Sequence, residues 1–168
     1  MSTSAHDFEL SNVAAGPDPF RLSEVASDEG VDAVVLLFQR DYHCTKCRSQ
    51  VQDVAARYEE FEAEDAVVAA VLPEPDDRAA DWQDSYDLPF PLLADASKAV
   101  SDEYDQPTRF GALGSLHDLV GRMPKAVVFD ARSGTPEVAA VDEGSTPADR
   151  PDVEAFLAAV RDLDSAAL

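Results

Sequence analysis

Apolar runs alternate with amphipathic stretches along this chain, a pattern that predicts alternating strands and helices. Three of the runs are almost wholly apolar and rich in β-branched residues, as strands buried on both faces are: residues 32–38, 66–72 and 125–130. Strands of this kind need helices on both sides of their sheet. The pattern therefore predicts an α/β domain with a central sheet between two helical layers.

A longer amphipathic stretch follows the first apolar run. Val51, Val54, Tyr58 and Phe61 recur at helical spacing with polar residues between them, which predicts one helix over residues 45–63. The order of strand, helix and second strand predicts a right-handed parallel crossover. Further predicted helices cover 22–26, 77–86, 97–104 and 152–163, further extended segments cover 6–10, 89–94 and 138–141, and 106–122 shows only a weak helical pattern around 116–120.

The length and hydrophobic content are those of one domain. The chain has 168 residues, of which 45% are hydrophobic, and we divide it into an N-terminal extension over residues 1–30 and a core over residues 31–163. No apolar run approaches the roughly 20 residues of a membrane span. The first residues have neither the basic nor the apolar region of a secretory signal, so we expect a cytoplasmic protein.

The formal charge of −21 comes from 34 acidic and 13 basic residues that are spread along the whole sequence. A surface of this charge repels phosphate backbones and anionic lipids, so we expect neither nucleic acid nor membrane as a partner. The aspartate-rich, lysine-poor composition resembles that of proteins from salt-loving organisms, in which salt screens the repulsion between like charges.

The candidate chemistry lies in the two cysteines, Cys44 and Cys47, between the first buried strand and the long predicted helix. They are too few for a disulfide-stapled secreted scaffold, and a loop this short removes little entropy from the unfolded chain. At the first turn of a helix, unpaired N–H groups and the positive end of the helix dipole lower the pKa of a thiol. One helical turn also brings the two sulfurs within disulfide reach. The spacing therefore predicts a redox-active pair.

Basic side chains cluster around these cysteines. Arg40, Lys46 and Arg48 lie within nine positions, and His43 directly precedes Cys44. Positive charges stabilise a thiolate, and a histidine also moves protons near neutral pH. We therefore assign these four residues a thiolate-supporting role.

Other readings of the same residues stay open from the pattern alone. The cysteines are also typical of small buried core residues, or of half a metal site with His43 or His117 as a third ligand. Because the sequence has no second CxxC, we expect no metal and no cofactor. Trp82, in a predicted surface helix, either packs on the core or lines a substrate groove.

Four features together resemble one known family. His6–Asp–Phe–Glu–Leu10 is similar to an opening PDFxL, residues 88–95 (LPFPLLAD) are similar to LPFPLLSD, residues 127–130 (VVFD) are similar to FVID, and Met123–Pro124 directly precedes that strand. Over about residues 6–163 the chain resembles the AhpC/TSA, or peroxiredoxin-like, family of the thioredoxin-fold superfamily. The resemblance implies thiol chemistry and a three-layer α/β/α sandwich with a mixed central sheet, in the peroxiredoxin variant of the thioredoxin fold.

The peroxidatic motif of that family, P-x-x-x-T-x-x-C, is altered here. The peroxidatic cysteine falls on Cys47, the threonine position holds Cys44, and the proline position holds Arg40. The arginine that stabilises the thiolate falls on Pro124, for which Arg122 is a candidate stand-in. The three usual supports of a peroxidatic thiolate are therefore replaced.

The same replacements resemble thioredoxins, in which a CxxC faces a cis-proline. By that resemblance Cys44 is an exposed attacking thiolate and Cys47 resolves the mixed disulfide. Pro124 takes the cis-proline position, and the backbone of Met123 binds the substrate in β fashion.

Three functions follow. The first is a thiol–disulfide oxidoreductase that acts on a disulfide-containing protein through Cys44 and Cys47. The second is a peroxidase with Cys47 as peroxidatic and Cys44 as resolving cysteine, and both of these need an external thiol reductant. The third, which is not an enzyme, is a metal carrier or redox sensor that uses the CxxC. The oligomeric state stays open, although peroxiredoxins are often homodimers or larger.

Overall fold

A computed structural model describes the chain over residues 6–104, 125–143 and 153–166. These residues form seven strands of one sheet: β1 Glu9–Asn12, β2 Phe20–Arg21, β3 Ala33–Phe38, β4 Ala66–Leu72, β5 Leu92–Ala94, β6 Lys125–Asp130 and β7 Glu137–Glu143. The helices described are α1 Leu22–Ala26, α2 Thr45–Ala56, α3 Tyr58–Glu62, α4 Asp76–Tyr86, α5 Ala99–Glu103 and α6 Val153–Ala166.

The sheet is mixed, as predicted. Its strand order is β2-β1-β5-β4-β3-β6-β7. The three strands β3, β4 and β5 are parallel, whereas β1, β6 and β7 run antiparallel to their neighbours. The fully buried strand β3 lies between β4 and β6, which places the residues that follow it at the middle of one sheet edge.

Two apolar clusters cover the two faces of the sheet. Along β3, Val35 and Leu37 face the cluster that contains buried residues of α2, α4 and α6, whereas Leu36 and Phe38 face the cluster that contains residues of α1 and α5. This alternation is the period-two burial expected of a strand between two helical layers. The predicted three-layer arrangement is confirmed.

The prediction of one helix over residues 45–63 is wrong. Helix α2 ends at Ala56 and α3 begins at Tyr58, because Arg57 between them has the non-helical angles φ −122° and ψ 21°. The Arg57 guanidinium pairs with Glu60 and with Glu154 of α6. A break of one residue keeps the buried positions at nearly helical spacing, so the periodicity does not reveal it.

The first strand also differs from the prediction for residues 6–10. It begins at Glu9 and continues to Asn12, which is 5% exposed. The buried side-chain amide of Asn12 donates to the carbonyl oxygens of Ala15 and Pro17 and accepts from the Leu92 amide. These bonds offset the cost of burying a polar residue at the strand end, which hydrophobic patterning cannot anticipate.

The other predicted elements agree with the structure to within a few residues. The weak pattern at 106–122 lies outside the described residues. Within the described ranges, no helix has both the length and the apolar character needed to cross a bilayer.

The charge predicts how salt affects stability. The chain has 34 acidic and 13 basic residues, so repulsion between like charges destabilises the folded state. We therefore expect the melting temperature to rise as KCl shortens the screening length from about 30 Å at 0.01 M to about 3 Å at 1 M. Salt also weakens exposed ion pairs such as Arg21–Glu9, but these contribute little to stability. The measurement is thermal unfolding followed by circular dichroism, with sucrose of equal osmolality as the uncharged control. A melting temperature that is flat or falls with KCl would contradict the expectation.

Candidate redox site

The CxxC lies where β3 leads into α2. Cys44 is the N-cap residue of α2, in extended backbone conformation, and Cys47 lies in the first helical turn. The Cys44 sulfur accepts a hydrogen bond from the Cys47 amide at 3.2 Å, so the sulfur takes the place of the usual N-cap oxygen. The sequence predicted this strand-to-helix junction correctly.

The two cysteines are joined by a disulfide, with their Cα atoms 5.2 Å apart. The Cys47 sulfur also accepts a hydrogen bond, from the Arg40 amide at 3.3 Å. Each sulfur therefore has a backbone N–H donor in addition to the helix dipole. A hydrogen bond to the charged form of a thiol favours that form, so this geometry supports a thiolate at either sulfur.

The burial of both cysteines differs from the prediction of an exposed Cys44. Cys44 is only 6% exposed and Cys47 is fully buried, and both belong to the apolar cluster that contains Leu37 and Val51. Cys44, which is the N-cap residue and is joined to Cys47 by the disulfide, packs against the core. Cys44 is nevertheless the more accessible of the pair.

The basic residues around the pair have different surroundings. Lys46 and His43 are exposed, and the His43 ring contacts the Tyr42 ring edge-on at 4.9 Å between centroids. The Arg40 side chain pairs with Asp41 at 3.3 Å, so the contact of Arg40 with the site is made by its backbone amide. The pattern of charges in the sequence does not show this backbone contact.

The Arg48 side chain turns back toward the redox loop. Its Nε and Nη2 atoms donate to the Tyr42 carbonyl at 2.9 and 2.8 Å, and its Nη1 atom donates to the Tyr86 hydroxyl at 3.1 Å. The guanidinium carbon lies 4.7 Å from the centre of the Tyr42 ring and 5.4 Å from that of Trp82. Partial burial opposes the charge, but the hydrogen bonds with Tyr86 and Tyr42 outweigh it and hold the pKa of Arg48 above its ordinary value.

Trp82 packs in the core, which decides between its two predicted roles. It is 1% exposed, and its indole N–H donates to the Tyr42 carbonyl at 3.1 Å. Tyr42 is also held at its amide by Glu74 and at its hydroxyl by Asp81, at 3.2 and 3.3 Å. Sequence reasoning missed Tyr42, Glu74, Asp81 and Tyr86, because they meet across separations of more than 30 residues that no local motif records.

Several predicted site residues lie outside the described ranges: His117, Arg122, Met123 and Pro124. Strand β6 begins directly afterwards, and its first residue, Lys125, pairs with Phe38 at the end of β3. The chain thus enters β6 at the sheet edge from which the redox loop leaves. Across the described parts of the chain, no group of three or more His, Cys, Asp or Glu residues is arranged to hold a metal ion.

Comparison with known proteins agrees with this geometry. The family model of the AhpC/TSA family matches residues 1–133. No curated protein matches the sequence. Among solved structures, peroxidoxin BcpB from Mycobacterium tuberculosis aligns with a TM-score of 0.74 and 22% identity over 96% of each chain. A reduced 2-Cys peroxiredoxin from Plasmodium vivax aligns with a TM-score of 0.78 and 15% identity, over 97% of this chain and 95% of its own.

At these identities the solved structures establish the fold, which is thioredoxin-like with peroxiredoxins as neighbours. The family match is independent of them and spans 133 of the 168 residues. Together with a helix-capping CxxC joined as a disulfide, it shows that the chain belongs to the AhpC/TSA family of thiol-dependent oxidoreductases.

Proposed function

We propose that the protein catalyses thiol–disulfide exchange, with Cys44 as the attacking thiolate and Cys47 as the resolving cysteine. The observation that carries this order is the difference in exposure. Cys44 retains 6% exposure, whereas Cys47 has none, so Cys44 is the more accessible cysteine for an external sulfur. An attacking or attacked sulfur must be accessible along the line of the sulfur–sulfur bond, which favours Cys44.

The exchange proceeds in two steps. The Cys44 thiolate attacks one sulfur of a substrate disulfide, forms a mixed disulfide and releases the other substrate sulfur as a thiolate that takes a proton from solvent. Cys47 then loses its proton and attacks the Cys44 sulfur, which forms the Cys44–Cys47 disulfide and releases the second substrate thiol. The substrate gains two electrons and the enzyme loses two. An external thiol reductant returns the enzyme to the dithiol by the reverse exchange.

The surroundings of the pair support this chemistry. The Cys44 thiolate lies at the N-terminus of α2 and accepts from the Cys47 amide. We assign His43 to proton transfer, because its ring is exposed beside Cys44. Lys46 and Arg48 add positive charge near a thiolate that forms within a strongly acidic protein, and Arg40, whose side chain pairs with Asp41, supports the pair through its backbone N–H to the Cys47 sulfur.

The substrate and the setting complete the proposal. A disulfide-containing protein is the expected substrate, and Met123 with Pro124 is its proposed backbone-binding segment. No cofactor is required, because the two sulfurs carry both electrons. We place the protein, as one domain, in the cytoplasm, since its two cysteines are too few for the disulfide framework of a small secreted domain. The acidic surface disfavours nucleic acid and membranes, and a homodimer or a monomer fits the proposal equally well.

Membership of the AhpC/TSA family favours a second function, reduction of peroxides. In that reaction the Cys47 thiolate attacks a peroxide oxygen, becomes a sulfenic acid and releases water or an alcohol. Cys44 then attacks the sulfenic sulfur, which forms the disulfide and releases water. The full burial of Cys47 and the replacement of the motif's proline and threonine by Arg40 and Cys44 weigh against this order.

Selective labelling distinguishes the two orders. In the freshly reduced protein at about pH 6, below the ordinary thiol pKa of about 8.5, we expect brief iodoacetamide treatment to label Cys44 at least about tenfold faster than Cys47. Mass mapping of the peptides measures the labelled fractions. The variants C44S and C47S are the matched controls. In a parallel test with 5,5′-dithiobis(2-nitrobenzoate), C47S should release one equivalent of the coloured thiolate and remain a mixed disulfide, whereas wild type releases two. Preferential labelling of Cys47 would reverse the assignment.

The peroxide reaction gives a separate expectation. Because Cys47 is fully buried and the motif's proline and threonine are replaced by Arg40 and Cys44, we expect the reduced protein to consume hydrogen peroxide no faster than free cysteine does at the same pH. Stopped-flow measurement of peroxide loss, with C47S and C44S as controls, tests this. A rate far above that of free cysteine that disappears in C47S but persists in C44S would establish the peroxidase function instead.

A further inference from the structure

One backbone carbonyl beside the redox pair accepts three hydrogen bonds. The Tyr42 oxygen receives two from the Arg48 guanidinium, at 2.9 and 2.8 Å, and one from the Trp82 indole, at 3.1 Å. A carbonyl oxygen has two lone pairs, and most carbonyls accept one or two hydrogen bonds. Three donors on one oxygen hold the peptide between Tyr42 and His43 in place, two residues before Cys44.

The hydrogen-bond partners of Arg48 differ from those of the other described arginines. Each of the other described arginines pairs with a carboxylate: Arg21, Arg40, Arg57, Arg78, Arg132 and Arg161. Among the ion pairs of the described residues Arg48 is absent, although acidic residues outnumber basic ones by 34 to 13. Its guanidinium instead contacts a carbonyl, a phenol hydroxyl and two aromatic rings. General surface charge pairing does not explain this arrangement.

Arg48 connects the two ends of the redox segment without using the sulfurs. It directly follows Cys47 on α2, and its side chain reaches the loop before Cys44. The disulfide makes the same connection only in the oxidised protein. The Arg48 hydrogen bonds involve neither sulfur, so reduction of the disulfide breaks none of them directly.

Helix α4 forms the other side of this contact. Tyr86 accepts from the Arg48 guanidinium, and Trp82 adds its N–H to the carbonyl that Arg48 binds. Both belong to α4, whose buried residues Ala79 and Trp82 pack in the core. We call Arg48, Trp82 and Tyr86 the loop clamp. The clamp thus ties the redox loop to a packed helix as well as to α2.

We propose that Arg48 is a positioning residue, which acts through the Tyr42 carbonyl to keep Cys44 within bonding distance of Cys47 in the reduced protein. The inference rests on the proposed function for its purpose, since it concerns how readily the resolving step closes the disulfide. The planar guanidinium matters because two of its N–H groups meet one oxygen while a third meets Tyr86, a geometry that an ammonium group does not reproduce.

Positioning and charge predict opposite changes in the disulfide equilibrium. If Arg48 acted only by its charge, removing that charge would destabilise the Cys44 thiolate and so make the disulfide more stable, and lysine would substitute for arginine. If Arg48 holds the loop, both R48K and R48Q lower the effective concentration of one thiol at the other and make the disulfide less stable. The sign of the change therefore separates the two roles.

The experiment equilibrates each folded protein with glutathione buffers, quenches by alkylation and counts modified cysteines by mass. We expect R48K, which keeps the charge, to lower the equilibrium constant for disulfide formation by about fivefold to tenfold, as the loss of one or two hydrogen bonds predicts. R48Q also loses the charge that favours the thiolate, so it should lower the constant by a smaller factor. Y86F, which removes a single hydroxyl, should lower it by a smaller factor. The matched control is R78K, because Arg78 lies 5.1 Å from the same Tyr42 ring but pairs with Glu74 and donates no hydrogen bond to the Tyr42 carbonyl oxygen. The equilibrium constant of R78K should stay within about twofold of that of the wild type.

An unchanged or raised constant in R48K would overturn the inference, because lysine keeps the charge and loses only the planar donor geometry. Thermal unfolding of each variant checks that the measured population is folded. If the Arg48 variants unfold, the equilibrium constant of Y86F tests the inference instead, and an unchanged constant there would contradict it. The equilibrium with glutathione requires no turnover. A failure of the proposed function, seen as the absence of exchange with substrate disulfides in wild type, is therefore distinguishable from a failure of the positioning role.

Discussion

The packing of the first turn of α2 against the end of β3 is the constraint on which the site depends. All six residues of β3 are buried between β4 and β6, and the buried residue that follows, Gln39, donates from its amide to Val71 and from its side chain to Gln50 of α2. These contacts fix where α2 starts relative to the sheet. Because the helix starts there, two sulfurs one turn apart meet each other and two backbone N–H groups. The redox chemistry is thus a consequence of core packing.

The electrostatics of the site act over two distances. The net charge of −21 disfavours a new anion anywhere in the protein, and this long-range repulsion weakens as salt shortens the screening length. The N–H groups that reach the two sulfurs act at 3.2 and 3.3 Å in a mostly buried site, where salt screens little. Salt therefore weakens the repulsion that opposes a thiolate and leaves the hydrogen bonds that stabilise it. A strongly acidic surface is for this reason compatible with a thiolate at its centre.

The sequence predicts those parts of the structure that depend on local order. The buried strands, the position of Cys44 and Cys47 at a strand-to-helix junction and the family all follow from contiguous residues. The loop clamp does not, because Arg48 meets Tyr86 across 38 positions and Trp82 meets Tyr42 across 40. Arg57 shows a different limit, since one non-helical residue leaves the apolar spacing intact. The burial of Cys44 was missed because a capping residue is judged by its sequence position, whereas its exposure depends on the tertiary contacts around it.

The hydrogen-bond donors to the two sulfurs explain the residues that replace the peroxiredoxin motif. In that motif, side chains of proline, threonine and arginine shield the thiolate and donate to it. Here Arg40 occupies the proline position, yet its backbone N–H is what reaches the Cys47 sulfur, and proline has no such N–H to give. Cys44 occupies the threonine position and supplies a second sulfur in place of a hydroxyl. Both replacements exchange a side-chain contact suited to a peroxide for a feature suited to a reversible disulfide. The backbone N–H groups of Arg40 and Cys47 thus donate to the two sulfurs at a site where the family uses side-chain donors, which fits the dithiol exchange proposed above.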